Sequence, residues 1–270
     1  MTPVTPNPEP SGITLGKLWT DEELCGRIYC QATHLAAAEL LGLEKERFLD
    51  HMFAAMHKLA ATRYHLDNYV SFERRHAEKA RRLFKKHPDH REEAFELIFE
   101  LEAFLFQVKS SLDMLAKLIN PVIGDGTVRT KTYGDEGDAL VRGLEQYKKR
   151  KDANTEAADS LMALIKDDKA AWIARVVALR DTVAHYRGIR GYQFEPVRLP
   201  DGGIGVRPPR VEGIDTVPFM RLVYSNNIEF HQDFMCLALA LKVPSLALVR
   251  ANQADVVRQH GKYGKYVRWG

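Results

Sequence analysis

Trp172–Gly191 reads WIARVVALRDTVAHYRGIRG, and its spacing decides the kind of fold this chain builds. Trp172, Val176, Leu179 and Val183 recur three and four residues apart, the pattern of a helix with one face turned to a core. On that helix Asp181 and His185 share the opposite face. Arg180 lies at its flank, with a side chain long enough to reach the same cleft. The helix is expected to run through Tyr186 and to stop near Gly188 or Gly191.

Those residue types can build an RNA-cleaving site without a metal. A histidine exchanges a proton near neutral pH, and an arginine fork holds a phosphate through two parallel hydrogen bonds while charge builds on its oxygens. Asp181, one turn before His185, can accept an imidazole N–H and fix its tautomer. Asp–His and Arg–Asp pairs on solvated helix faces are the ordinary alternative.

Arg180-Asp-Thr-Val-Ala-His185 resembles the motif of HEPN domains, in which an arginine, a polar residue and further spacers precede a histidine. Leu101–Asn120, LEAFLFQVKSSLDMLAKLIN, resembles the long helix that faces the motif helix in that family. The likeness covers roughly residues 94–248. It implies an all-α, HEPN-like helical bundle in which two motif helices meet across a homodimer and form one composite cleft. It further implies that Arg180 and His185 are the phosphate-binding and catalytic pair, with Asp181 at the polar position. The activity so implied is that of a metal-independent endoribonuclease in a toxin or defence system, with an antitoxin or nucleotidyltransferase as a further partner. Other HEPN-like domains bind RNA or nucleotides without cleavage, which leaves a non-catalytic dimer open, and a structural helical dimer beside it.

Composition is compatible with a reduced, cytoplasmic protein. Cys25, Cys30 and Cys236 leave one thiol over in any intrachain pairing and lack a compact metal-binding spacing. The formal charge of +3 is too small to point to nucleic acid by itself. No apolar run is long enough to span a bilayer, and the start is not signal-like. Neither a Walker loop nor a paired-carboxylate metal site is visible, so no cofactor and no metal are expected.

In chain order, residues 1–18 carry closely spaced prolines and read as a tail. Residues 19–91 read as an N-terminal helical extension packed on the core. Thr20 with Glu23 suits a capping box for a helix through Ala38, and Leu43–Tyr69 is periodic enough for a second. His34, His51, His57 and His65 form no HExxH pair. Ser71–Arg91 is dense in charge, and Arg74, Arg75 and Arg82 are candidate RNA-backbone contacts, with a solvated helix face as the alternative. Pro88 should interrupt this helix.

Residues 92–250 read as the HEPN-like domain. Glu102, Lys109 and Asp113 fall near one face of its first long helix with Phe106 between them. Lys109 and Asp113 are therefore candidate supporting residues opposite Arg180 and His185, and a local ion pair is the alternative. A loop with a short helix near Asp138–Lys149 follows, and its basic end offers Lys148 and Lys149 as further RNA contacts, or as cations at a helix terminus. Thr155–Ile165 should be helical, with Asp167 and Asp168 turning the chain into the motif helix. Tyr192–Leu199 and Ile204–Arg207, joined by Asp201-Gly-Gly203, suggest a small β-hairpin insertion near 192–207. A helix from Asp215 or Thr216 should run to Leu241, with Tyr224 and Asn227 lining the cleft or simply packing. Residues 251–270 read as a tail whose bases and aromatics suit flexible RNA, outside the catalytic assignment.

Overall fold

The computed structural model describes residues 26–124, 126–128, 132–185 and 192–243, without the side chains of Arg27, Asp135, Ala184 and His185. The expectations for the two tails, for Thr20 and Glu23 and for the stretch after His185 lie outside the described residues. What is described is an all-α bundle carrying a small β-hairpin insertion.

Helices α1 (Gly26–Glu39) and α2 (Gly42–Phe84) open the bundle. α2 runs 43 residues without interruption, about 64 Å at the α-helical rise. The sequence suggested a boundary near Tyr69, but no proline or glycine stands between Leu43 and Pro88. Nothing breaks the hydrogen-bond ladder until the amides of Lys86 and His87 both return to the Leu83 carbonyl. Its buried seam, from Phe48 through Met52, Met56, Leu59, Thr62 and Leu66 to Tyr69, keeps the three- and four-residue spacing.

That seam packs against α3 (Phe95–Lys117), whose Leu97, Leu101, Phe104, Leu105, Val108, Leu112 and Leu115 are buried. Cross-links from His65 to Glu100 and from His76 to Glu96 show that the two helices run antiparallel. A short α4 (Ile119–Ile123) carries Pro121 near its start, where a missing N–H costs nothing. Both polar ends of the Asn120 side chain then hold the backbone of Val128. At Gly137, φ is +101°, and a Cβ there would collide with Ile165 and Tyr133. That glycine leads into α5 (Asp138–Tyr147).

Helix α6 (Thr155–Asp168) is capped by Asn154, whose side chain accepts from the Ala157 amide. The expected turn at Asp167–Asp168 is absent. α6 passes through a wide π turn (Lys169–Ile173) directly into α7 (Ala174–His185). Asp168 and Trp172 are both buried, and the indole N–H donates to the Asp168 carboxylate at 2.6 Å. The bend is therefore taken up inside one continuous helix.

The insertion holds two antiparallel pairs. Strands β1 (Glu195–Arg198) and β2 (Ile204–Arg207) form the expected hairpin in the register Glu195 to Arg207. A second, smaller pair, β3 (Arg210–Val211) and β4 (Ile214–Asp215), was not expected. Glu212 and Gly213 both have positive φ, as a primed two-residue turn requires, but a glutamate in place of asparagine or aspartate hides that signal. Glu92 and Phe194 exchange backbone hydrogen bonds and tie the insertion to the entry of α3. Helix α8 (Thr216–Ala240) then returns through the bundle, buried almost throughout from Phe230 onward.

Candidate functional site

The motif helix buries a broader face than the four-residue stripe suggested, because Ile173 and Val177 are buried together with Trp172, Val176 and Leu179. Arg180, three residues after Val177, is thereby drawn to the shoulder of the buried face and keeps 21% of its side chain exposed. Its guanidinium lies 5.5 Å from the centroid of the Phe106 ring on α3, within the range of a cation–π contact. Nη1 of Arg180 pairs with Oδ1 of Asp181 at 2.8 Å. The Nε atom is buried and has no partner among the described residues. Asp181 is half exposed. His185 ends the helix one turn later, and its side chain lies outside the described residues.

Phe106, 42% exposed, is one of a line. Phe95 and Phe99 sit four residues apart on the same helix and are more exposed still. At helical spacing the three rings fall near one stripe of α3, next to Arg180 at its C-terminal end. An aromatic stripe on an exposed helix face is legible as positions 95, 99 and 106, but only the packed bundle shows that Phe95 and Phe99 stay open while Arg180 partly covers Phe106.

Lys109 and Asp113 share this side of α3 and bond to each other at 2.5 Å. The same Asp113 oxygen accepts the backbone N–H of Tyr133 at 2.7 Å. Asp113 thus fastens the segment before α5, whose Tyr133 ring meets Phe230 edge-on. Asn227 is fully buried and bonded to Ser111, so it belongs to the core and not to a cleft. Tyr224 is buried with the Arg63 guanidinium over its ring.

Arg74, Arg75 and Arg82 lie exposed on α2, with Arg75 stacked on Phe72. Lys148 bonds to Asp159 at 2.6 Å and Lys149 to the Gln146 side chain at 3.0 Å. Arg150 grips Asp152 and the Ile123 carbonyl. The basic knot after α5 is therefore tied into local pairs, whereas the α2 arginines present their charge to solvent.

A groove of about 720 Å³ lies between the turn at Pro88–Arg91 and the β1–β2 hairpin. Arg91, Glu195 and Arg198 line it, and Arg91 pairs with Glu195 at 3.1 Å. It contains none of the motif residues. Among the described residues, no group of three or more His, Cys, Asp or Glu side chains is placed to hold a metal, and no helix is long and apolar enough to cross a membrane.

Two further polar groups were not legible in the sequence. His231 is buried in α8 and bonded to Tyr29, and burial pulls its pKa down to about 3. Glu73 is half buried on α2, where burial and the Asp215 carboxylate push its pKa up to about 7. Neither position is marked by motif or period. Comparison with known proteins finds no matching family model, no matching curated protein and no matching solved structure.

Proposed function

We propose that this chain is a HEPN-like endoribonuclease that works without a metal at a cleft between two copies. The observation that carries the reading is the placement of Arg180. Its guanidinium lies over the Phe106 ring and is tethered by Asp181, yet remains partly open to solvent. A fork restrained in this way is pre-organised to grip a phosphate, which lowers the ordering cost of binding. His185 follows in the same helix.

In this mechanism His185 takes the proton of a ribose 2′-hydroxyl or, with its copy, returns one to the leaving 5′-oxygen. Arg180 stabilises the pentacovalent phosphate as negative charge accumulates. The products are a 2′,3′-cyclic phosphate and a 5′-hydroxyl. DNA lacks the internal nucleophile and stays intact by this route. A C2 pair would set each short motif against its copy and cover the exposed Phe95, Phe99 and Phe106. Arg74, Arg75 and Arg82 would supply backbone contacts away from the cleft. The physiological setting that fits is a toxin or defence system with an antitoxin or nucleotidyltransferase partner.

A second reading, a dimer that binds RNA or a nucleotide without cleaving it, is favoured by one observation. Asp181 already occupies one guanidinium nitrogen and offsets part of the charge a transition state would use. The two are separated by incubating wild type and His185→Ala with single-stranded RNA and matching DNA in excess chelator. The nuclease reading requires RNA cleavage with cyclic-phosphate ends and a loss of about 10²–10⁴-fold in the variant. RNA binding without cleavage by the wild-type dimer, across substrates, selects the second reading.

A further inference from the structure

Tyr69, Glu73 and His76 recur at four- and three-residue spacing on α2 and share the face that meets the strand-bearing excursion between α7 and α8. The Tyr69 and Tyr192 hydroxyls bond to each other, and both lie beside the Thr216 hydroxyl. Thr216 in turn bonds through Oγ1 to the Pro209 carbonyl at 2.9 Å. The His76 ring stacks on Phe194 at 6.5 Å, while its Nε2 is turned to Glu96 at 2.9 Å. The beginning of the excursion, at Tyr192 and Phe194, and its end, at Pro209, Asp215 and Thr216, therefore converge on one stretch of α2.

Glu73 stands at that convergence. Its Oε1 is buried and has no partner among the described residues. The charged groups facing it from the packed elements are Asp215 on β4 and Arg221 on α8. Asp215 is already tied to Arg210 at 2.9 Å. An ionised Glu73 would place a half-buried charge next to a like charge, with only Arg221 in compensation among the described residues.

We infer that Glu73 is a proton-controlled latch: neutral, it tolerates its buried place beside Asp215 and the excursion from Tyr192 to Thr216 stays against α2, and on ionising it loosens that excursion. The His76 imidazole on this face is paired with Glu96 and is common to wild type and any Glu73 variant, and the other neighbouring groups leave the control to Glu73. Burial pushes the phenols of Tyr69 and Tyr192 upward, so both stay neutral across the relevant range. Arg221 is a cation throughout. Because the closed state raises the Glu73 pKa above its open value, the hold is complete below an ordinary glutamate pKa of about 4.5 and is lost as pH rises to about 7. The release would be felt at the motif helix, since Arg175 of α7 pairs with Glu212 within the excursion. The inference stands independently of the nuclease reading.

Hydrogen exchange of the full chain tests it, with wild type and Glu73→Gln compared at each pH from 4.5 to 8 so that intrinsic exchange rates cancel. The amide keeps the size of a protonated carboxyl and cannot ionise. Wild-type protection within residues 192–215 should fall relative to the variant across pH 4.5–7 by at least about tenfold, solvent screening at a half-buried site reducing the full linkage effect. Protection in α6 should not change. Asp215→Asn removes the like charge and should restore part of the wild-type protection at pH 7. Equal protection of wild type and Glu73→Gln at pH 7, no effect of Asp215→Asn, or a loss spread evenly over α6 and α8 would each overturn the latch.

Discussion

The Tyr29 hydroxyl and Nδ1 of His231, 202 residues apart in sequence, meet at 2.8 Å in the centre of the bundle. Burial pulls the histidine down to about 3, so it stays neutral when folded. The unfolded chain takes up a proton below about 6.5, which means that stability is full above that pH and falls as the pH drops toward 3. By linkage this one group would contribute a loss on the order of 5 kcal/mol over that full window. Replacing both partners by apolar residues, Tyr29→Phe with His231→Leu, removes the bond without leaving a stranded half. Urea midpoints measured from pH 7 to pH 4 should decline less steeply in the double variant than in wild type. Parallel profiles would show that the histidine is not the acid-sensitive group.

A second prediction concerns the π turn. Asp168→Ala strips the acceptor from the buried Trp172 N–H, and a stranded buried donor costs about 1–3 kcal/mol. Chemical denaturation should show that loss. Tryptophan fluorescence should report a changed Trp172 environment even where the chain remains folded. An unchanged midpoint would mean that the indole finds another acceptor and that the π turn does not depend on this bond.

Much of the helical bundle was legible because its buried faces repeat at helical spacing, as in α3 and α8. Boundaries failed where charge obscured the period without breaking the helix. From Glu73 to Lys86 few apolar residues mark a face, yet no glycine or proline stops α2. Asp167 and Asp168 looked like a turn because adjacent aspartates favour loops, but Asp168 is spent on Trp172. The placement of Phe106 among Glu102, Lys109 and Asp113 was visible on a helical wheel. That Arg180 would lie on its ring, and that Asp113 would fasten Tyr133, depends on how α7 and the segment before α5 pack on α3. Glu73 and His231 were invisible for a related reason: their burial is produced by partners from distant parts of the chain.

Asn154 joins three elements. Its side chain accepts the Ala157 amide and donates to the Ala240 carbonyl, and its own amide donates to the Tyr147 hydroxyl. Asn154→Ala removes the helix cap and the bond to the end of α8 together, for an expected loss of roughly 1–2 kcal/mol. Asn154→Asp keeps the acceptor but not the donor and should fall between them. Thermal melts rank the three proteins. An aspartate variant as stable as wild type would assign the whole effect to the cap.

Arg180 and Phe106 give the most direct test of the candidate site, because each affects the phosphate differently. Arg180→Lys keeps a cation but loses the planar fork that can grip two oxygens. Phe106→Ala keeps the fork but removes the surface that restrains it. If Arg180 acts on the transition state, Arg180→Lys should lower kcat with little change in RNA affinity, since a lysine still attracts the backbone. Phe106→Ala should weaken binding and turnover by smaller and similar factors, of roughly tenfold or less, as a partly exposed cation–π contact worth about 1 kcal/mol would. The two changes should be less than additive when combined, because the ring acts through the arginine. Single-turnover rates and filter-binding affinities on one RNA, with dimer mass checked for every variant, separate these outcomes. Full activity in Arg180→Lys would remove the guanidinium from the chemistry. Strict additivity would mean that Phe106 serves the RNA or the second copy on its own account.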